Sequence, residues 1–136
     1  MDILDTRDLD KEIEELETTE EEYNELFDEY LPTTSMANAA QKASDESGLD
    51  HEDRHRLNAL RAFKEELEGY CDWMYGETLV AEDDFTEYAE ELASDIYSLE
   101  THWPYNHIDW DAAAEALKVD YTEADLEGST YYVRMS

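Results

Sequence analysis

The sharpest chemical pattern in the sequence is His51-Glu52-Asp53-Arg54-His55. It has the H-E-x-x-H form, which on a helix sets two imidazoles one turn apart for zinc, with a glutamate between them as general base. Zinc hydrolysis also needs a third ligand, an open coordination position and a dry cleft around the bound water. The neighbourhood supplies little of this, because the pattern follows a polar stretch and falls in the first turns of an expected helix. The simpler reading is a solvated helix start, where Asp50 and Asp53 offset the partial positive charge of the N-terminus. His102 and His107 flank Trp103-Pro104-Tyr105 and complete a metal site only if the fold carries them to His51 and His55.

Other chemistries leave weaker traces. The acidic clusters lack the ligand pattern of a calcium loop, and the four glycines are too scattered to cradle a phosphate. Cys71, the single cysteine, lies among the aromatic residues Tyr70 to Tyr75 and reads as a small buried apolar group rather than a reactive thiol. No nucleophile elbow accompanies any serine. The expectation is therefore a non-enzyme with no catalytic residue, cofactor or metal. A small zinc metallopeptidase on His51, Glu52 and His55 is the last of the alternatives.

What remains is carboxylate. The 136 residues carry 39 Asp and Glu against 9 Lys and Arg, a formal charge of -30. Such a charge keeps a chain soluble but opposes compaction through self-repulsion, so an ordinary enzyme gains nothing from it. Disorder is the first explanation of that composition. Ten Tyr, three Trp and three Phe at helical spacing argue instead for one folded domain with a loose N-terminal part. There is no secretory core after Met1, no stretch near eighteen apolar residues and no basic patch. A cytoplasmic location follows as an expectation, with no membrane and no direct nucleic-acid partner, since the chain's own field repels phosphate.

The elements that must position these acids are mostly helical. A first helix over 6–17 has a stripe of Leu9, Ile13 and Leu16, and a second begins at Thr19, with Glu22 closing a capping box and Tyr23, Leu26, Phe27 and Tyr30 on its apolar face. Pro32 ends it. Residues 33–49 read as a Ser/Thr/Ala-rich linker or mobile loop containing one helical turn. A third helix runs from Asp50 to Tyr70, with Leu57, Leu60, Phe63 or Lys64, Leu67 and Cys71 buried. Thr78 to Ala81 is extended, and Asp83 or Asp84 caps a fourth helix reaching Leu99, with Phe85, Tyr88, Ala89, Leu92 and Ile96 inward. The fifth helix, 109–117, groups Trp110, Ala113, Ala114 and Leu117. Val119–Ala124 and Thr130–Met135 read as a hairpin with its turn at Gly128.

The fold class is thus mainly α (α+β), about five helices with a small C-terminal β-hairpin and an acidic, elongated surface. Its organisation is an acidic helical pair over 1–32, the linker 33–49, and a helical domain with terminal hairpin over 50–136.

On the fourth helix Glu87, Glu90, Glu91 and Asp95 fall opposite the apolar stripe, spaced to bring like charges roughly 5–6 Å apart. Glu21, Glu25 and Asp28 repeat this on the second helix, and Asp8, Glu12 and Glu15 on the first. Asp111 and Glu115 on the fifth complete the candidate partner-binding acids. Duplex DNA carries one charge per roughly 1.7 Å of axis, so thirty carboxylates match about 50 Å of duplex, or about fifteen base pairs. The charge therefore suits a mimic that occupies a DNA-binding protein.

The second half, roughly residues 78 to 134, resembles the ArdA family of antirestriction proteins, acidic DNA mimics of mobile elements and phages, and small acidic phage proteins related to them. The resemblance rests on Phe85 to Ile96 (FTEYAEELASDI), Trp103-Pro104, Ile108-Asp109-Trp110 with Ala113, Ala114 and Leu117, then Asp120-Tyr121 and Tyr131-Tyr132-Val133-Arg134. It implies occupation of the DNA groove of a Type I restriction-modification enzyme, or another host-defence nuclease, in the host bacterial cytoplasm. Known members form elongated dimers, so a homodimer is an open expectation. The α/β domain that opens a typical member is absent here. The aromatic and apolar residues of the matched motifs are expected in the core, so only the acids carry over as interface candidates. The alternative is an acidic interaction module that binds a basic protein without imitating a duplex.

Overall fold

The computed structural model describes residues 3–97 and 102–135. The chain is mainly α, with five helices and a C-terminal antiparallel hairpin, as its periodicity predicts. The helices are α1 (Thr6–Tyr30), α2 (Met36–Ser47), α3 (His51–Glu68), α4 (Phe85–Tyr97) and α5 (Trp110–Leu117). The strands are β1 (Ile3–Asp5), β2 (Thr78–Ala81), β3 (Tyr121–Leu126) and β4 (Ser129–Arg134). The expected end of the fourth helix at Leu99 lies outside the described residues.

Two of the five helices differ from expectation. The pair over 6–17 and 19–30 is one helix of 25 residues. Thr18 and Thr19 do not break it, because their hydroxyls donate to the carbonyls of Glu14 and Glu15 one turn back, at 2.9 and 3.2 Å, and Thr19 becomes an interior residue rather than a cap. The segment 33–49 is largely the helix α2 and not a linker or mobile loop. Ser35 caps it by accepting from the Asn38 N–H at 3.2 Å. Gly48, at φ 79°, ends it in the left-handed conformation, its N–H donating to the Ser44 carbonyl. The buried face of α2 is Ala39 and Ala43, side chains too small to register as an apolar period.

The chain forms two compact units, one of residues 8–62 and the other of residues 1–7 with 63–136. Their limits fall inside α1 and α3 rather than in the segment 33–49. In the first unit Leu9, Ile13, Ala39, Ala43, Leu49, Leu57 and Leu60 are buried. Tyr23 stacks on Phe27, and the Arg54 guanidinium lies 4.5 Å from the Tyr23 ring. The Tyr30 hydroxyl donates to Glu46 at 2.6 Å.

The second unit is built on a four-stranded sheet of order β1-β2-β4-β3, antiparallel throughout. β1 has no counterpart among the predicted elements; it pairs Ile3 with Val80 and Asp5 with Thr78. Glu127 and Gly128 turn the hairpin with φ 49° and 87°, positive at both central residues as in a type I′ turn. On one face Val80, Phe85, Ala89, Ala114 and Tyr132 form a core flanked by Tyr88, Leu117 and Tyr121. On the other Phe63 meets the edges of Trp73 and Tyr131 at ring separations of 6.2 Å.

Two apolar residues leave the expected core. Ile96 is 62% exposed and Trp103 is 72% exposed. α5 has only eight residues, about 12 Å of helix, and the core against α4 is made by its first turns, at Phe85, Tyr88 and Ala89. Ile96 lies beyond them. Among the described residues no helix is long and apolar enough to cross a membrane.

Candidate partner-binding surface

α4 positions the clearest arrangement of acids. Phe85 and Ala89 are buried and Tyr88 and Leu92 half-buried, which turns the opposite side of the helix outward. Glu87, Glu90, Glu91, Ser94 and Asp95 then line one concave depression. All four acids are exposed, and none has an ion-pair partner among the described residues. The Thr86 hydroxyl donates to Asp111 at 3.2 Å, which brings the start of α5 to the first turn of α4 and adds a fifth carboxylate there. Glu115, one turn on, holds Lys118 at 3.0 Å. This hydrogen bond raises the ammonium above its ordinary pKa, and the same group lies over the rings of Tyr132 and Phe85. Glu115 is exposed but locally neutralised.

In the other unit Asp8, Glu15, Glu21, Glu25 and Asp28 are exposed, as candidates for contact must be. Glu12 is half-buried and engaged by Arg56, whose Nε and Nη2 donate to its two oxygens at 2.8 and 3.1 Å. This fork binds α3 to α1 rather than leaving a free charge. Arg61 does the same one level along, with Nη2 donating to Glu20 at 3.0 Å and Nε lying 3.5 Å from Glu17. The hydrogen bond to Glu20 holds the guanidinium pKa above its usual value. Glu14, Glu17, Glu20 and Glu21, with Thr18, Asn24 and Arg61, line a second depression that is therefore only partly acidic.

A third group escaped the reading of the sequence. Glu82, Asp83 and Asp84 form a 3-10 turn running directly into α4, and with Gly128, Ser129 and Thr130 of the hairpin they line another concavity. The consecutive acids were legible, but their place beside the turn depends on pairing β2 with β4.

His51, Glu52 and His55 are all exposed at the start of α3. Asp50 accepts from the Asp53 N–H at 2.8 Å and its own N–H meets Asp53 at 3.5 Å, the reciprocal bonding of a capped helix end. Among the described residues no group of three or more His, Cys, Asp or Glu is placed to hold a metal ion. Cys71 is buried, and burial pushes its thiol up to about 11, with the charges of Glu77 and Asp72 adding to the effect. A thiol so shifted is a poor nucleophile near neutrality. Compared with known proteins, the chain matches no family model, no curated protein and no solved structure.

Proposed function

We propose that this chain is a DNA-mimicking antirestriction or anti-defence protein, which occupies the cationic DNA groove of a host-defence nuclease, with a Type I restriction-modification enzyme as first target. The observation that carries the reading is the α4 face. Four exposed carboxylates without internal cations sit on a helix whose opposite side is packed, so the backbone that spaces them is held. Such a row can displace DNA because it draws on the same electrostatic attraction to the cationic groove. α1 adds density: twelve of its 25 residues are Asp or Glu, over roughly 37 Å of helix. That is about one carboxylate per 3 Å, against roughly 3.4 Å per charge of a single DNA strand, before Arg56 and Arg61 offset Glu12, Glu17 and Glu20.

The second reading, an acidic module that binds a basic protein without duplex geometry, draws on the ion pairs of α1. Arg56 and Arg61 interrupt the acidic row there and leave the α4 face as a compact patch.

Titrating the protein into a Type I restriction enzyme bound to labelled duplex, at two salt concentrations, tests the proposal. Salt-sensitive displacement at near-stoichiometric protein is expected. No displacement at large excess rejects that target, and displacement insensitive to salt rejects the electrostatic mechanism.

A further inference from the structure

The sheet has two edges, β1 and β3. β3 joins β4 through the two-residue turn Glu127–Gly128, so Leu126 and Ser129 are the hydrogen-bonded pair that closes the hairpin. Such pairs alternate along an antiparallel ladder, which assigns the next ones to Ala124 with Tyr131 and Thr122 with Val133. The main-chain N–H and C=O groups of Tyr121, Glu123 and Asp125 consequently point away from β4. The Tyr121 N–H donates to the Lys118 carbonyl, whereas among the described residues no main-chain hydrogen bond engages the Tyr121 carbonyl or the N–H and C=O groups of Glu123 and Asp125. An open strand edge of this kind is a template for another extended chain.

The side chains select the occupant. Glu123 and Asp125 are exposed, and Asp120 and Glu127, also exposed, flank the strand. β4 orients one of the two strand acids, since Asp125 accepts from the Thr130 hydroxyl at 2.6 Å. A second copy of β3 pairing antiparallel would set Glu123 against Glu123 or Asp125, and like charges directly opposite oppose pairing. A strand with Lys or Arg at alternate positions gains from the same geometry.

We propose that the outer edge of β3 docks an extended, lysine- or arginine-bearing segment of a partner protein by strand addition, with main-chain bonds and ion pairs at Glu123 and Asp125. This binding does not require the DNA-mimic reading to hold.

The test uses the whole protein and two eight-residue peptides of alternating Lys and Thr. One is unmodified, and the other is N-methylated at every residue so that it keeps its charge but has no main-chain N–H to donate to the ladder. The unmodified peptide is expected to bind about tenfold or more tightly than its methylated form, as two or three main-chain hydrogen bonds dictate. It should also slow amide exchange at Glu123 and Asp125. Glu123→Lys with Asp125→Lys should weaken it further, while Glu123→Pro, which removes only an outward N–H from the backbone, tests the edge in a residue type that edge strands accept. Equal affinity of the two peptides would overturn the proposal in favour of unspecific attraction to the acidic surface. Protection of these amides in the free protein that grows with protein concentration would assign the edge to a second copy and overturn it equally.

Discussion

Thr6 donates its hydroxyl to the Trp73 carbonyl at 2.8 Å, across 67 residues of chain, from a site with no exposure to solvent. The same oxygen accepts from the Glu77 N–H at 2.8 Å, and the Thr6 N–H donates to the Glu77 carbonyl at 3.0 Å. One small side chain thus satisfies both ends of the 73–77 turn that leads into β2. Thr6→Ala removes both hydrogen bonds made by this buried hydroxyl, which should cost about 1–3 kcal/mol. Thr6→Ser, which keeps the hydroxyl and loses a methyl, should cost about 1 kcal/mol or less. Urea unfolding of both variants measures this, and equal losses would deny the hydrogen bond its role.

The four acids of α4 are predicted to act against the fold they decorate. Glu87→Gln, Glu90→Gln, Glu91→Gln and Asp95→Asn together should leave the melting temperature unchanged or raised, because neighbouring like charges are removed. Displacement of DNA from the target should fall at least tenfold. Full retention of activity would place this helix outside the interface.

Arg56 and Arg61 separate structure from function in the other unit. Their pairs are only partly buried, so Arg61→Gln or Arg56→Gln should each cost about 0.2–1 kcal/mol. Each also adds one net negative charge, and inhibition should hold or improve despite the lost stability. A matched loss of both would mean that these arginines matter only through the fold.

Salt should stabilise this protein. Raising ionic strength from 0.01 to 0.15 M shortens the screening length from about 30 to about 8 Å, which relieves repulsion within a chain of net charge -30. Melting temperature is expected to rise across this range; a fall would make the internal ion pairs the dominant electrostatic contribution.

Alkaline pH should destabilise it. The folded chain holds the Cys71 proton up to about 11, against 9.0 for a free thiol, and the bond to Glu46 holds the Tyr30 proton up to about 12, against 10.0. A group whose pKa is raised by folding contributes fully below its unfolded pKa and loses that contribution as pH climbs through the folded value. Stability in urea should therefore decline between about pH 9 and 12. Cys71→Ala should flatten the early part of the decline, and thiol reagents at pH 8 should label Cys71 only after unfolding.

Local patterns were legible wherever large side chains carried them. Leu57, Leu60, Phe63, Leu67 and Cys71 are buried as the period of α3 predicts, and Gly128 stands in the expected turn. α2 was obscured because its buried stripe is alanine, although its caps, Ser35 and Gly48, stood in the sequence. Thr18 and Thr19 have the residue type of a cap, but each hydroxyl bonds the carbonyl of the preceding turn and α1 runs through them, a choice that residue type alone does not reveal. Of the candidate acids, exposure was predictable from helical phase, but the capture of Glu12 by Arg56 was not.

By itself the sequence determined a charge of -30, the helical class and the outward stripe of α4, because composition and period are local properties that packing cannot alter. The tertiary structure alone decided that Ile3–Asp5 is a strand, that Ile96 and Trp103 are exposed, which acids are neutralised and which edge of the sheet stays open. Each of these depends on a partner tens of residues away, and spacing along one helix or strand carries no record of it.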